Sequence, residues 1–202
     1  MNVAGSAGYA KGLDRFIAGT QAISFERLHR HFLAFIPRQR ANLLDLGAGI
    51  GRDAVELAQR GHRVTAVEPL AEFRATGSQL YPHPDLHWVD DALPDLQHLE
   101  AATGTFDFVL SSGVWHHLSP AQQTAAIQRV ATLLRPAATS APSLPRGPAG
   151  LGHHCHPTRV PACIQAAQES GLATVFRLDN QASLMSHKVG VRWAFLVFQK
   201  RS

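Results

Sequence analysis

Residues 43–52 constrain the fold more than any other part of this 202-residue chain. An apolar run ends there in Asp45, and glycines follow at alternate positions, Gly47, Gly49 and Gly51. A helical pattern begins directly after the last glycine. Because glycine has no Cβ and tolerates a positive φ, such a turn lets the backbone approach a ligand closely. The segment predicts a strand, a ligand-contacting turn and a helix.

A second strand that ends in an acid follows about twenty residues later, the spacing of a nucleotide-binding βαβ unit. Residues 64–68 are apolar up to Glu68, whose carboxylate can accept hydrogen bonds from ribose hydroxyls. The two segments together predict a nucleoside-binding crevice. The dinucleotide fingerprint G-x-G-x-x-G is not met, because the third glycine follows only two positions after the second.

Strands and helices alternate along most of the chain, which predicts an α/β fold with a parallel sheet covered on both faces. The last two strand-like runs, 172–178 and 191–198, have no helix between them and must pair antiparallel. We therefore predict a three-layer sandwich with a mostly parallel, seven-stranded sheet that ends in an antiparallel hairpin.

The segment 136–148 occupies the place of the fifth parallel strand. It contains four prolines, and Pro142 falls in the middle of the best candidate strand. Proline cannot donate a ladder hydrogen bond and is rare in central strands. The sequence leaves open whether strand five is degraded.

Composition predicts one globular unit, with an N-terminal helical segment, 1–40, packing on a core domain, 41–202. No apolar run approaches the ~18 residues of a membrane span, and residues 1–6 lack the basic start and apolar core of a signal peptide. The chain has two cysteines, Cys155 and Cys163. We therefore expect no disulfide framework, no membrane partner and a cytoplasmic location.

The glycine motif and the elements around it resemble the class I S-adenosylmethionine-dependent methyltransferases. The similarity covers residues 41–135, with a weaker match at 161–199. The segment 45–51 reads D-L-G-A-G-I-G, and in the family this loop lies under the methionine moiety and the ribose of the cofactor. The acid after strand two, here Glu68, binds the ribose hydroxyls. The resemblance implies a Rossmann-like fold and S-adenosyl-L-methionine as cofactor.

The acid after strand three touches the adenine amine in that family, and D-A-L-P at 91–94 fits this position. We prefer Asp91 over Asp90, although either can instead cap the following turn. Asp45 is expected to order the amides of the glycine loop rather than to touch the ligand. The resemblance assigns cofactor contacts to Asp45, Gly47, Ala48, Gly49, Gly51, Glu68, Pro69, Asp91, Ala92 and Ser111.

Two histidines, His116 and His117, follow strand four at the edge of the sheet where ligands bind. Either can act as a general base near neutral pH, and either can instead pack against the ligand or cap the next helix. Tyr9 and Arg15 are candidates for the methionine carboxylate of the cofactor.

The run H-H-C-H at 153–156 contains metal-ligating residue types. Ligands of tetrahedral sites are usually spaced by two or more residues, so four consecutive candidates have poor geometry. We expect no metal site on this spacing.

The resemblance implies methyl transfer from S-adenosylmethionine. No N-P-P-Y-like motif follows strand four, where 111–114 reads S-S-G-V, and no RNA-binding module is appended. Basic residues are scattered although the net charge is +4, which is typical of a solvated surface rather than of a nucleic-acid patch. A small-molecule acceptor is expected. Its identity and the oligomeric state are not indicated.

Two other hypotheses stay open. The first is a cofactor-binding but inactive or impaired protein, because residues 136–157 depart from the family pattern. Ala137 and Ala138 stand where the family has a Gly-Gly turn, and a short compensated frameshift would produce such a segment. The second is a nicotinamide-dependent oxidoreductase, which requires the missing G-x-x-G spacing.

Overall fold

The computed structural model describes residues 8–9, 12–147, 155–185 and 190–202. Its helices are α1 (Leu13–Gln21), α2 (Phe25–His29), α3 (Arg52–Gln59), α4 (Ala71–Leu80), α5 (Pro120–Leu133) and α6 (Val160–Glu169). Its strands are β1 (Asn42–Leu46), β2 (Arg63–Val67), β3 (Leu86–Val89), β4 (Phe106–Ser112), β5 (Leu134–Arg146), β6 (Leu172–Ala182) and β7 (Arg192–Lys200). Within these ranges, none of the helices has the length and apolar character that crossing a membrane requires.

The seven strands form a single sheet in the order β3-β2-β1-β4-β5-β7-β6. The strands β1 to β5 pair parallel, whereas β7 pairs antiparallel with both β5 and β6. The predicted sheet, with its antiparallel hairpin at one edge, is confirmed. Since β1 lies between β2 and β4, the chain reverses direction across the sheet next to β1, and ligands of α/β sheets bind at such a point.

Burial of β1 on both faces explains why its sequence is continuously apolar. Leu44 and Leu46 are fully buried in one cluster of core side chains, with residues of α5 and α6. Leu43 is fully buried in the other cluster, with residues of α3 and with Phe25 and Phe32. Alternate residues of one strand therefore face two cores, which makes the molecule a three-layer sandwich.

Strand five is complete, and its prolines do not remove it from the sheet. β5 pairs with β4 through Pro142, which lies opposite Ser111. The ladder to β7 is interrupted between Ser140 and Ser143, which are the nearest paired residues on either side of Pro142. Because proline lacks an N–H, the ladder to β7 is interrupted for a short stretch at Pro142, while the ladder to β4 continues past it.

The start of β5 is irregular where the sequence has Ala137 and Ala138. Leu134 pairs with Phe106 and Thr139 pairs with Phe108, so β5 bulges between the two pairs. Ala137 adopts a φ of 63°, in the left-handed region that favours glycine. The backbone at Ala137 therefore has the shape of a glycine turn although the residue is alanine.

Candidate functional site

A pocket lies at the carboxyl ends of β1, β2 and β4, where the sequence predicted the ligand crevice. Its volume is about 150 Å³. That is smaller than ~300 Å³, the volume at which ligand pockets usually begin. Aromatic side chains in the lining narrow the pocket. It is lined by Tyr9, Phe16, Leu46, Gly47, Gly49, Val67, Glu68, Pro69, Leu70, Phe73, Asp91, Ala92, Leu93, Ser112, Gly113, Val114, His117 and Leu118.

The glycine loop is held by the end of β2 and by the residue that follows it. The amides of Gly47 and Ala48 donate to the carbonyl oxygen of Val67 at 2.9 and 3.0 Å. The amide of Gly49 donates to Oε2 of Glu68 at 3.0 Å. The expectation that Asp45 orders these amides is wrong for these three donors, because Val67 and Glu68 accept their hydrogen bonds.

Asp45 lies on β1 behind the pocket rather than in its lining. It is 2% exposed, and its Oδ2 has no hydrogen-bond partner among the described residues. Burial raises the pKa of its carboxyl well above the usual range, the nearby Asp53 and Glu68 raise it further, and Arg52 opposes them. The structure therefore places Asp45 buried behind the pocket and outside its lining.

The glycines of the motif have different surroundings. A Cβ on Gly49 would lie 2.9 Å from Cζ of Phe16, so only glycine lets that ring lie against the loop inside the pocket. Gly51 and Ala48 are outside the lining. A Cβ on Gly51 would lie 2.6 Å from Cζ2 of Trp88, so the space at Gly51 serves packing at the start of α3.

Glu68 joins the glycine loop to the start of α4 and is 6% exposed. Besides the bond from Gly49, its Oε1 accepts from the amide of Leu70 at 2.9 Å. Burial raises the pKa of this carboxyl to about 7, and the two backbone hydrogen bonds and Arg74 oppose that rise. Each carboxylate oxygen keeps a second lone pair, so the group can also accept from a ligand in the pocket.

Asp91 and Ala92 line the far wall of the pocket, as expected. Asp91 is 1% exposed. Its carboxylate accepts hydrogen bonds from the amides of Ala92, Gln97 and His98 at 2.8, 3.2 and 2.7 Å. It therefore also orders the loop after β3. Asp90 instead forms an ion pair with Arg74 at 2.8 Å.

Ser111 is outside the lining, and the prediction of a cofactor contact there is not supported by its position. Its Oγ is fully buried and accepts from Nε1 of Trp115 at 2.8 Å. Side chains alternate between the faces of a strand, and the neighbouring residue, Ser112, lines the pocket instead. Ser111 thus fixes the segment that carries the two histidines.

His117 lines the pocket, whereas His116 does not. The Tyr9 hydroxyl lies 2.9 Å from Nε2 of His117, and the two rings meet edge to face. Burial raises the pKa of Tyr9 to about 12, and nearby Cys155 and Glu68 raise it further. Tyr9 is therefore a neutral hydroxyl in the pocket, and Arg15, the other N-terminal candidate, is not in the lining.

Sequence reasoning missed the aromatic wall. Phe16 of α1 stacks on Phe73 of α4 with ring centroids 4.6 Å apart, and Tyr9 meets both rings edge to face. The three come from separate segments, so no local spacing in the sequence could have shown that they meet. Of the predicted run 153–156, His153 and His154 lie outside the described residues.

A buried ion-pair network behind the glycine loop was also missed. Asp53 accepts from Nε of Arg52 at 2.7 Å, and its Oδ2 lies 2.8 Å from Nε2 of His29. Arg52 also donates to the carbonyl oxygens of Thr20 and Ile23. The network ties the N-terminal segment to the helix that follows the glycine motif.

Comparison with known families matches residues 43–137 to a methyltransferase domain. Uncharacterised methyltransferases of Mycobacterium tuberculosis and Mycobacterium bovis are each 32% identical to this chain over 101 residues. That alignment covers 50% of this chain and 38% of either relative. The chain thus spans well under half the length of the curated relatives it matches.

Solved structures share the whole fold at low identity. A 1,6-didemethyltoxoflavin N1-methyltransferase of Burkholderia thailandensis has a TM-score of 0.70 and 22% identity, covering 97% of this chain and 85% of that one. A TehB-like S-adenosylmethionine-dependent methyltransferase of Corynebacterium glutamicum has a TM-score of 0.68 and 23% identity, and the match covers 97% of this chain and 98% of that one. The [4+2]-cyclase SpnF has a TM-score of 0.72 and 13% identity, and the match covers 98% of this chain and 96% of that one. The fold is therefore shared with a cyclase too, and the reaction must be argued from the site.

Proposed function

We propose that the chain is a class I S-adenosylmethionine-dependent methyltransferase that transfers a methyl group from S-adenosylmethionine to a small-molecule acceptor. The observation that carries this proposal is the position of Glu68. Its buried carboxylate joins the glycine loop to the start of α4 inside the pocket. A carboxylate so placed can accept both hydroxyls of a ribose through charge-assisted hydrogen bonds.

The other residues of the pocket fit the remaining parts of the cofactor. Pro69, Leu70 and Ala92 supply apolar wall beside Glu68, which suits a purine ring. Because Gly49 has no Cβ, a ligand could approach its backbone closely once the ring of Phe16 moves aside. These residues would hold S-adenosylmethionine, which supplies a methyl group already activated on a sulfonium.

The chain's own contribution is positioning and proton transfer. Holding the acceptor in line with the transferred methyl group lowers the barrier by removing motional freedom before the reaction. His117, which lines the same pocket as Glu68, is the candidate base for an acceptor that must lose a proton. The Tyr9 hydroxyl, which lies within hydrogen-bond distance of Nε2 of His117, orients the imidazole.

Several features support a small acceptor. Tyr9 and Phe16 bring the N-terminal segment over the pocket, which leaves little room for a polymer. The similar Burkholderia enzyme holds 1,6-didemethyltoxoflavin in its crystal structure. We further propose that the segment 1–40 packs on a catalytic unit formed by 41–202, and that the protein works in the cytoplasm, where the thiols of Cys155 and Cys163 stay reduced.

The test is calorimetric titration of the full chain with S-adenosylhomocysteine and, separately, with NAD. We expect S-adenosylhomocysteine to bind and NAD not to bind. Glu68→Ala should weaken S-adenosylhomocysteine about 10- to 100-fold, the value of one or two hydrogen bonds to a charged group. Glu72→Ala, which removes an exposed acid of α4, is the matched control and should bind like the parent.

Three outcomes separate the hypotheses. Binding of NAD alone would replace the methyltransferase proposal with an oxidoreductase. Unchanged affinity in Glu68→Ala would reject the ribose assignment. Binding of S-adenosylhomocysteine without methyl transfer to any acceptor in a small-molecule panel would favour the inactive protein, the alternative that the irregular start of β5 at Ala137 motivates.

A further inference from the structure

Three metal-ligating side chains from two distant segments meet beside the pocket: His116, His117 and Cys155. One candidate ligand atom from each lies within 4.8 Å of the other two. All three residues are partly buried. The sequence argument against a metal considered only the run 153–156, so it could not anticipate a ligand set that joins Cys155 to the two histidines of the turn after β4.

Hydrogen bonds to backbone atoms hold the two segments together. The amide of His156 donates to the carbonyl oxygen of His116 at 2.7 Å. Nε2 of Gln123 on α5 donates to Leu118 at 2.9 Å and to Pro157 at 3.3 Å, and thereby joins both segments. The two imidazole rings lie with their centroids 3.9 Å apart. The candidate ligand atoms are therefore carried by two segments that are hydrogen-bonded to each other.

We propose that His116, His117 and Cys155 form a three-ligand zinc site. Two imidazoles and one thiolate suit zinc, whereas magnesium and calcium prefer oxygen ligands. Zinc bonds of about 2.0–2.3 Å in a tetrahedron put ligand atoms roughly 3.3–3.8 Å apart. Side chains that already lie within 4.8 Å of one another reach that spacing by moving about 1 Å.

Three protein ligands leave the fourth zinc position open, which is the pattern of catalytic rather than structural zinc sites. His117 belongs to both the cluster and the pocket lining, so the ion lies next to the pocket. In the zinc-bound form His117 is a ligand and no longer serves as the general base. Coordination through Nδ1 would leave Nε2 of His117 to keep its contact with the Tyr9 hydroxyl, which would then act as an outer partner.

The open position assigns a class of acceptor, a step that rests on the proposed function. A hydroxyl or thiol of the acceptor that binds zinc there loses its proton to solvent. Its lone pair then forms the bond to the methyl carbon, while the bond from that carbon to the sulfonium sulfur breaks and leaves neutral S-adenosylhomocysteine. The site thus favours acceptors with an ionisable oxygen or sulfur, because bound zinc lowers the pKa of such groups.

The test uses the full chain, stripped with a chelator and titrated with zinc against a chromogenic competitor. We expect one zinc per chain. Cobalt(II) in place of zinc should give a thiolate-to-cobalt charge-transfer band. Cys155→Ser should remove that band, and His116→Ala and His117→Ala should each weaken zinc binding at least tenfold, since each removes one of three ligands.

Matched controls come from the same chain. Cys163→Ala removes the other thiol, which is buried on α6 and outside the cluster. His156→Ala removes a neighbouring imidazole while keeping the amide that bonds to His116. Both should bind zinc like the parent, and so should a variant with alanine at both His153 and His154.

The absence of zinc uptake would overturn the proposal, as would a cobalt band that survives Cys155→Ser. Loss of binding in any control variant would assign the ion to other residues and reject this ligand set. Titration of the same stripped chain with S-adenosylhomocysteine keeps the two proposals apart. Binding of the nucleoside without zinc rejects only the metal site, whereas zinc without the nucleoside rejects the proposed function.

Discussion

Glu68 illustrates how a single carboxylate can be prepared for a ligand before the ligand arrives. Its two oxygens accept from Gly49 and Leu70, so the glycine loop and the start of α4 are fixed relative to each other. Burial makes its negative charge costly, and its pKa rises to about 7. A ribose that donates to the carboxylate would stabilise the charged form, so binding and ionisation are linked.

This linkage predicts a pH dependence of ligand affinity. S-adenosylhomocysteine should bind more tightly as the pH rises from 6 to 8, with a limiting slope of about tenfold per pH unit below the pKa of Glu68. Calorimetry across that range measures the slope. In Glu68→Gln the slope should vanish. If it persists, a group other than Glu68 governs the dependence.

The stability of the unliganded protein should change in the opposite sense. The pKa of Glu68 is raised from 4.5 in the unfolded chain to about 7 in the folded one, so the folded state holds the proton more tightly. This group's contribution to stability is full below pH 4.5 and is lost as the pH rises through 7.

Among the elements, β5 shows what a central strand tolerates. It keeps its place between β4 and β7 although Pro142 interrupts one ladder. The greater strain lies at its start, where Ala137 has a φ of 63°. A left-handed conformation costs a residue with a Cβ roughly 1–2 kcal/mol relative to glycine.

Replacing Ala137 with glycine should therefore stabilise the protein. We expect Ala137→Gly to raise the free energy of unfolding by about 1 kcal/mol, after the entropy cost of glycine in the unfolded chain is subtracted. For a chain of this size that raises Tm by about 2–4 °C, measurable by thermal unfolding. Ala138→Gly is the control and should not stabilise, because Ala138 does not have a positive φ. An equal gain in both variants would contradict the strain argument.

The elements also show what can and cannot be predicted from sequence. The run S-P-A-Q at 119–122 predicts a helix start, and α5 begins there because Ser119 and Gln122 form a reciprocal cap that is local in sequence. The helical spacing of apolar residues over 24–36 predicts one helix, but the structure has α2 followed by a short 3-10 turn at 33–35. Its periodic pattern is satisfied by packing, since Phe25 and Phe32 are buried without a continuous helix. Local signals fix caps and strand ends, whereas tertiary contacts decide where a short helix stops.

At the scale of the whole molecule, the Arg52–Asp53–His29 network joins the N-terminal segment to the sheet layer. Asp53 is 8% exposed. Burial alone would raise the pKa of its carboxyl, but His29 and Arg52 outweigh burial and lower the pKa to about 2. Each charge of the network depends on the others, because removing one partner leaves another charge buried and uncompensated.

Asp53→Asn should destabilise the protein by about 3 kcal/mol, the typical effect of breaking a buried pair. Urea unfolding at pH 7 measures the loss. Asp85→Asn, which breaks an exposed pair with Arg40, is the control and should cost no more than about 1 kcal/mol. Because the pKa of Asp53 is lowered from 3.8 to about 2, its contribution is present above pH 4 and is lost as the pH falls through 2. Equal losses in the two variants would contradict the network's role.

The same scale explains which parts of the site the sequence predicted. Gly47, Gly49, Glu68, Asp91 and His117 follow strands, and parallel strands bring their carboxyl ends to one edge of the sheet. Phe16 and the cluster of His116, His117 and Cys155 depend on how distant segments fold over that edge. Such contacts have no spacing that could be read along the chain.

The ring of Phe16 lies against Gly49 and stacks on Phe73, so the pocket of about 150 Å³ is smaller than a nucleoside needs. We therefore expect the ring of Phe16 to control both the entry and the departure of the ligand. Phe16→Ala should raise both the association and the dissociation rate of S-adenosylhomocysteine about 2- to 10-fold, the kinetic equivalent of one aromatic contact. Stopped-flow measurement beside Phe35→Ala, an aromatic truncation outside the pocket, would time both steps. Unchanged rates in Phe16→Ala would mean that the residence time of the product is set elsewhere.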